Sequence, residues 1–396
     1  MHTEKRSVFL IYPSPGQMTE PCSLQWSDIG CADGPALKDH AGFILGNCLY
    51  VHGGQTARRD SMTEARQGLY RIRLSPSVGT WTDLTTSDSP SLSQHACLSM
   101  EDRYLVFIGG WTGKTRIPGV HTYDTVSQKW LPPALNEPLL KGFPSGAGLS
   151  AHSATKMQPH PAGLGSFTSL IIGREGSLRT QRKAGNIYLL YGNVRGSGSD
   201  NMKAHYTYCE ANSQLATSSR SYHTSFAAAP NTLVTVGGRK DHVIELLRWK
   251  SSSKNSHSLD WPGTLVYPPD TCTVVTDLIK QVHQKKLKLS EAVIKNQCGW
   301  RGHSAVPGLG GTFICGGEGF NALVRDPLDH AYLYLQTSAD TRGYLYDLGK
   351  MNQARSYAVM AINANDHTAW LHGGLGPGGR VQNSLLCLTP IGKSDQ

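Results

Sequence analysis

Apolar residues along this chain do not alternate singly with polar ones. They gather into six short runs, each ending on a glycine pair or its remnant: Leu49 to Gly54, Leu105 to Gly110, Leu170 to Arg174, Leu233 to Gly238, Thr312 to Gly317 and Ala369 to Gly374. A continuous apolar run closed by glycine reads as a strand buried on both faces. The leading glycines, Gly53, Gly109, Gly173, Gly237, Gly316 and Gly373, lie 56, 64, 64, 79 and 57 residues apart. Gly54, Gly110, Gly238, Gly317 and Gly374 complete the pairs, and Arg174 stands in their place in the third unit. A period near fifty residues whose unit is one small sheet, unable to bury itself alone, predicts an all-β, six-bladed propeller.

Internal spacings support one phase. Trp26 precedes His40 by 14 residues, Trp81 precedes His95 by 14, and Tyr208 precedes His223 by 15. From His40, His95, His223 and His303 to the next leading glycine is 13, 14, 14 and 13 residues. The third unit is stretched between His152 and Gly173 by a segment around Pro159 to Ser166, and in the sixth unit Tyr357 is read in the histidine's place. The strands running into the glycines are read as the inner ones, converging on a central channel where a residue without Cβ permits close approach. Trp81, Trp130, Tyr208, Trp261 and Tyr346 mark outer strands, where large rings fill the widening wedge; they and the histidines are read as packing residues.

The pattern predicts blades over about 32–88, 89–136, 146–215, 216–262, 298–350 and 351–390, within a single domain over 1–396. Cys22, Leu24 and Trp26 alternate with polar residues at period two, and the last blade lacks an outer strand. Residues 22–28 are therefore expected to complete it, sealing the ring by pairing the two ends. Between the fourth and fifth blades, residues 263–297 place Val274, Val275, Leu278, Ile279 and Val282 at helical spacing opposite Lys280, Gln281 and Lys285, predicting a short helical insertion.

Composition changes this picture little. The 396 residues are 39% hydrophobic and 17% charged, enough for a full core. Nine cysteines, an odd number without C-x-x-C spacing, suit reduced thiols, and with no apparent secretory leader or Asn-x-Ser/Thr sequon they point to an intracellular protein, in cytoplasm, nucleus or both. The net charge of +9 comes without the interleaved aromatics of a nucleic-acid platform, so an acidic protein segment is the expected partner, with no nucleic acid and no membrane.

The segments Leu105-Val-Phe-Ile-Gly-Gly110 with Tyr123 and Trp130, Arg220-Ser-Tyr-His223 before Gly237, and Arg301-Gly-His303 before Gly316 resemble kelch repeats. The third unit, with Gly148-Leu-Ser-Ala-His152 and Gly173-Arg-Glu-Gly-Ser-Leu-Arg-Thr-Gln-Arg-Lys-Ala-Gly-Asn-Ile-Tyr188, is similar to the kelch domain-containing protein nine family. The resemblance implies a propeller acting as a protein-interaction module, with an A-type cyclin as partner. Kelch adaptors of ubiquitin ligases carry a BTB domain or a cullin box, for which this sequence leaves little room, so a ligase receptor ranks behind a scaffold. A subunit of a cytoskeletal or axonemal assembly is the other alternative.

Catalysis is not expected. The nearest approach to a sialidase repeat, Ser75 to Trp81, lacks its aspartate, the histidine and cysteine spacings do not supply a copper oxidase, and the glycines after Gly373 lack the Lys-Ser/Thr of a P-loop. No cofactor or metal is called for. If the chain binds, specificity belongs on loops at one face. After the glycines stand Gln55, Trp111, Arg174, Arg239, Glu318 and Leu375; before the next strands stand Gln94, Arg220, Tyr222, Arg301, Arg355 and Tyr357. The arginines suit carboxylates, although Arg220, Arg301 and Arg355 are read at equivalent repeat positions and so as partly structural.

Overall fold

The computed structural model describes residues 7–8, 22–30, 33–56, 64–132, 143, 146–157, 165–176, 182–196, 201–210, 221–229, 232–238, 244–249, 265–266, 300–308, 311–319, 326–336 and 343–391. They form an all-β propeller of antiparallel sheets, six among the described residues. Five sheets are built from consecutive strands and one joins the two ends of the chain. The only helical element among the described residues is a 3-10 turn at Pro377–Gly379.

The first sheet runs outward from the channel as Ala41–Leu45, Cys48–His52, Leu69–Arg73 and Thr82–Asp83. The second repeats that order with Ala96–Met100, Tyr104–Trp111, Arg116–Asp124 and Lys129–Trp130. The third contains Ser153–Lys156, Phe167–Gly176, Arg182–Arg195 and Lys203–Glu210, with Ala147–Gly148 pairing the far end of Phe167–Gly176. Thr224–Ala229 opens the fourth sheet and Trp300–Gly308 the fifth. In the composite sheet Val359–Ile362, Ala369–His372 and Leu385–Ile391 are followed by Cys22–Asp28, whose Trp26 lies opposite Leu388. Ser7–Val8 adds a short strand outside it.

The uninterrupted apolar runs have a direct explanation in this packing. Along Tyr104–Trp111, Leu105 and Phe107 face the first sheet, in a cluster with Tyr50 and Leu69, while Val106 and Ile108 face the third, in a cluster with Ile171 and Leu190. A strand pressed between two sheets must be apolar on both faces, so the period-two alternation of a half-exposed strand disappears. A further cluster joins Ala361, Trp370 and Leu385 of the composite sheet to Leu49 and Val51 of the first, closing the ring.

Three readings need correction. The strand that ends in glycine is the second from the channel, not the innermost; the channel is lined by the strand before it. The glycine is needed because the next sheet's entry loop crosses there: a Cβ on Gly53, at φ +69°, would sit 2.2 Å from the Leu92 carbonyl oxygen and 2.9 Å from the His95 ring. Tyr357 does not take the histidine's place in the last unit. It aligns with Asp39, Gln94, Ala151, Tyr222 and Gly302, the residues just before each first strand, and Ala358 occupies the histidine slot. Arg301 is not equivalent to Arg355 either: it directly precedes its left-handed residue, as Lys38 and Ser93 do, whereas Arg355 stands two before, like Leu37 and Leu92.

The helical insertion expected over 263–297 lies outside the described residues, apart from Leu265–Val266. That pair is a strand against Trp249 and Arg248, so the fourth sheet extends past the predicted boundary at 262.

Candidate partner-binding site at the channel mouth

The geometry of the site begins in the main chain. Asp39, Gln94, Ala151, Tyr222, Gly302 and Tyr357 all have left-handed backbone, with φ between 51° and 63°. Each donates its N–H to the carbonyl of the previous one, at 2.8 Å for Gln94 to Asp39, 2.8 Å for Ala151 to Gln94, 2.8 Å for Tyr222 to Ala151, 3.0 Å for Gly302 to Tyr222 and 2.7 Å for Tyr357 to Gly302. Asp39 N–H to the Tyr357 carbonyl, 3.1 Å, completes the circle. Left-handed backbone costs a non-glycine residue of order 1 kcal/mol, and here each instance is held by its two neighbours in the circle.

A second tier ties sheet to sheet. The N–H of each second glycine reaches the carbonyl two residues before the next collar residue: Gly54 to Leu92, Gly110 to Leu149, Gly238 to Trp300, Gly317 to Arg355 and Gly374 to Leu37, all at 2.6–2.8 Å. The residue after the glycines pairs with the residue before the collar in its own sheet, as Gln55 with Lys38, Trp111 with Ser93, Glu318 with Arg301 and Leu375 with Ser356. Of the loop residues singled out by sequence, Glu318 and Arg301 thus pair with each other, whereas Gln55, Trp111 and Leu375 pair with Lys38, Ser93 and Ser356, which sequence did not select.

Beneath the collar a cavity of about 250 Å³ runs down the axis, lined by the opening residues of all six first strands, among them Gly42, Ala96, Ala154 and Ala305. In the first, second, fourth and fifth sheets the histidine following the collar residue turns back onto the preceding sheet. His40 Nε2 meets His372 Nδ1 at 3.1 Å, His95 Nε2 meets His52 Nδ1 at 3.0 Å, His223 Nε2 meets Ser153 Oγ at 2.9 Å and His303 Nε2 meets Thr224 Oγ1 at 2.8 Å. Burial holds the rings of His40, His52, His95, His152 and His372 neutral. It lowers His52 and His152 to about 3 and about 4, and with the nearby Arg355 charge lowers His372 to about 3. His40 and His95 are lowered well below the ordinary imidazole value for the same first reason. Among the described residues no group of three His, Cys, Asp or Glu is placed to hold a metal ion.

The side chains at the mouth divide into two halves. On one side Tyr357 leans over Gly302, where a Cβ would lie 2.6 Å from its ring, and meets Tyr222 edge-on with ring centroids 5.1 Å apart. Below them Arg301 pairs with Glu318 at 2.6 Å, and the Tyr357 hydroxyl donates to the same Glu318 carboxylate at 2.7 Å. The Arg301 guanidinium lies 5.8 Å from the centroid of each tyrosine. Glu318 is fully buried and Arg301 nearly so. On the other side Asp39 and Gln94, both partly exposed, form a polar half beside the buried Ala151.

The candidate residues therefore separate by role. Gln55, Trp111, Tyr222 and Tyr357 are partly exposed at the mouth. Glu318 and Arg301 form an internal ion pair, and Arg355, 2% exposed, donates to the Gln353 and Ser384 side chains and the Ala354 carbonyl. Arg174 lies opposite Lys183 in the third sheet, its side chain outside the described residues, as are Arg220 and Arg239 altogether. Asp39 went unselected because a single aspartate before a histidine carries no repeat signal; the one flag for its backbone was glycine at the equivalent position, Gly302. Trp81 packs 4.8 Å from the His372 ring, Trp130 packs 5.4 Å from Phe107, and Trp26 lies against the cluster of the fifth and composite sheets.

No protein-family model matches the chain. Over 171 residues, 43% of this chain and 42% of the relative, it is 33% identical to mouse Kelch domain-containing protein 9, and over 151 residues, 37% of each, 30% identical to the human protein of that name. The matches thus span about two fifths of those relatives' length. A solved structure described as "Structure of YjhT" superposes with a TM-score of 0.55 at 14% identity, covering 90% of this chain and 98% of that one, a likeness of fold.

Proposed function

We propose that this propeller is a non-catalytic, intracellular protein-interaction module that presents its channel mouth to a protein partner. The observation that carries the reading is the collar: six left-handed residues of five different types, locked by main-chain hydrogen bonds. A rigid ring of backbone bearing unlike side chains is how a scaffold displays a specific surface without spending its own stability on it. Tyr222, Tyr357 and Trp111, partly exposed there, are residue types that dominate binding energy at interfaces. The likeness to Kelch domain-containing proteins supports the same reading.

The expectation of an acidic partner segment now rests on Arg174, Arg220 and Arg239, because Arg301 and Arg355 are buried. The A-type cyclin implied by the resemblance is the first named protein to test. Affinity purification with mass spectrometry, using the intact chain beside a Trp111→Ala/Tyr222→Ala variant, is expected to show one or more partners reduced about tenfold or more with the variant. The variant's melting midpoint should stay within a few degrees of the parent. Partners retained by it but lost on deletion of residues 270–297 would move the function to the rim and overturn the reading.

A further inference from the structure

Among the described residues, the mouth contains one charged side chain that is partly exposed and unpaired. Asp39 stands in the collar, partly exposed at the head of the channel, and its carboxylate makes no hydrogen bond or ion pair. The other charged groups described around it, Lys38, Arg301, Glu318 and Arg355, are 5%, 9%, 0% and 2% exposed. Among the described charges, a group entering the channel therefore meets a carboxylate first.

What flanks that carboxylate suits a cation. Gln94, hydrogen-bonded to Asp39 through the collar, has a side-chain amide with no partner among the described residues, supplying a second oxygen acceptor. Across the mouth stand the Tyr222 and Tyr357 rings, and the guanidinium of Arg301 already lies over both, so their faces are compatible with positive charge. Below, the shaft of about 250 Å³ is walled by Gly42, Ala96 and Ala154. That is room for a single slender side chain rather than a folded loop, and an aliphatic stem with a charged end fits a weakly polar shaft with a polar rim.

Resting on the reading of the mouth as the partner's seat, we propose that its polar half receives one cationic side chain of the partner, an arginine or a lysine, with Asp39 as counter-charge and Gln94 as second acceptor. The electrostatics of Asp39 agree. Its carboxyl is pushed up to about 6, first by burial and then by the Glu318 charge, against the opposing pull of Lys38 and Arg301. That is how a carboxylate behaves when its surroundings leave its charge under-compensated, and an incoming cation supplies the missing compensation.

The test uses the full chain and small probes, read by ligand-detected saturation-transfer NMR at pH 7.5: Nα-acetyl-arginine methylamide, the lysine equivalent, the uncharged isostere Nα-acetyl-citrulline methylamide, and agmatine as a free amine. The arginine and lysine probes are expected to bind about tenfold more tightly than citrulline. Asp39→Asn, which keeps a residue tolerant of left-handed backbone, should abolish that difference without lowering the melting midpoint, and Lys38→Met should enlarge it. Citrulline binding as tightly as arginine, or Asp39→Asn leaving the difference intact, overturns the proposal. Agmatine binding with no response to the acetylated amino acids would overturn it too, by making the occupant a free amine. Partner capture lost with Trp111→Ala/Tyr222→Ala while the probes ignore Asp39 would sink this inference and leave the proposed function standing.

Discussion

At the scale of single residues, the glycines and histidines are two halves of one contact. Gly53, Gly109, Gly237 and Gly373 each accept the ring edge of the next sheet's histidine, His95, His152, His303 and His40, at 2.9–3.0 Å from where a Cβ would stand. Gly53→Ala is accordingly expected to cost about 2 kcal/mol or more in urea unfolding, because the methyl meets backbone as well as the ring. Gly46 has a similar φ of +59° and open space around it, so Gly46→Asn should stay within about 0.5 kcal/mol. The histidines also set a pH dependence. The folded values of His40, His52, His95, His152 and His372 lie below the ordinary imidazole value near 6.5, with His52 and His372 at about 3 and His152 at about 4. Below pH 6.5 the unfolded chain thus binds more protons than the folded one, and stability falls as pH drops towards 4. Each histidine contributes up to about 1.4 kcal/mol per pH unit in that window. Asp39, raised to about 6, acts in the opposite direction between pH 6 and 4 and offsets only part of the loss. Melting midpoints measured from pH 7.5 to 4.5 should therefore stay level to about pH 6.5 and then decline; a flat profile would mean the imidazoles are hydrated.

At the scale of elements, the N-terminal strand Cys22–Asp28 does for the composite sheet what the short outer strands do elsewhere. It pairs along Leu385–Ile391 from Asp28 with Leu386 to Ser23 with Ile391, Trp26 packs on the adjoining cluster, and Asn352 donates to the Trp26 carbonyl at 3.0 Å. Deleting residues 1–28 leaves that edge unpaired and opens the cluster. We expect a melting midpoint lower by more than 10 °C, or a shift to larger species in size-exclusion chromatography, whereas Ser23→Ala should change neither. This element was legible in the sequence because it alternates at period two and carries the tryptophan its sheet lacks. The glycine-terminated strands were legible for a different reason, as unbroken apolar runs. The collar was not. Its six members are an aspartate, a glutamine, an alanine, two tyrosines and one glycine, so no residue type announces their shared backbone. Their position is set by tertiary hydrogen bonds rather than local preference, which also explains why Tyr357 was placed one residue out of phase once Ala358 had replaced the guiding histidine.

At the scale of the whole molecule, the interior clusters lie between sheets rather than within them, so no sheet has a core of its own among the described residues. Loss of any one interface exposes two faces, and the ring is expected to unfold as a unit: tryptophan fluorescence and far-ultraviolet circular dichroism should report one coincident transition in urea. Separate transitions would show that part of the ring stands alone. The candidate site was legible only as a neighbourhood. Sequence placed Gln55, Trp111, Tyr222 and Tyr357 around one opening, while Arg301 and Glu318, which looked like binding groups, found each other inside it. The main-chain circle at that opening has a practical consequence. Because its bonds involve no side chain, Asp39, Gln94 and Ala151 behave as interchangeable fittings on a fixed mount. A library drawn there from glycine, asparagine and other residues at ease with positive φ could redirect what the molecule recognises while its melting point stays where it is.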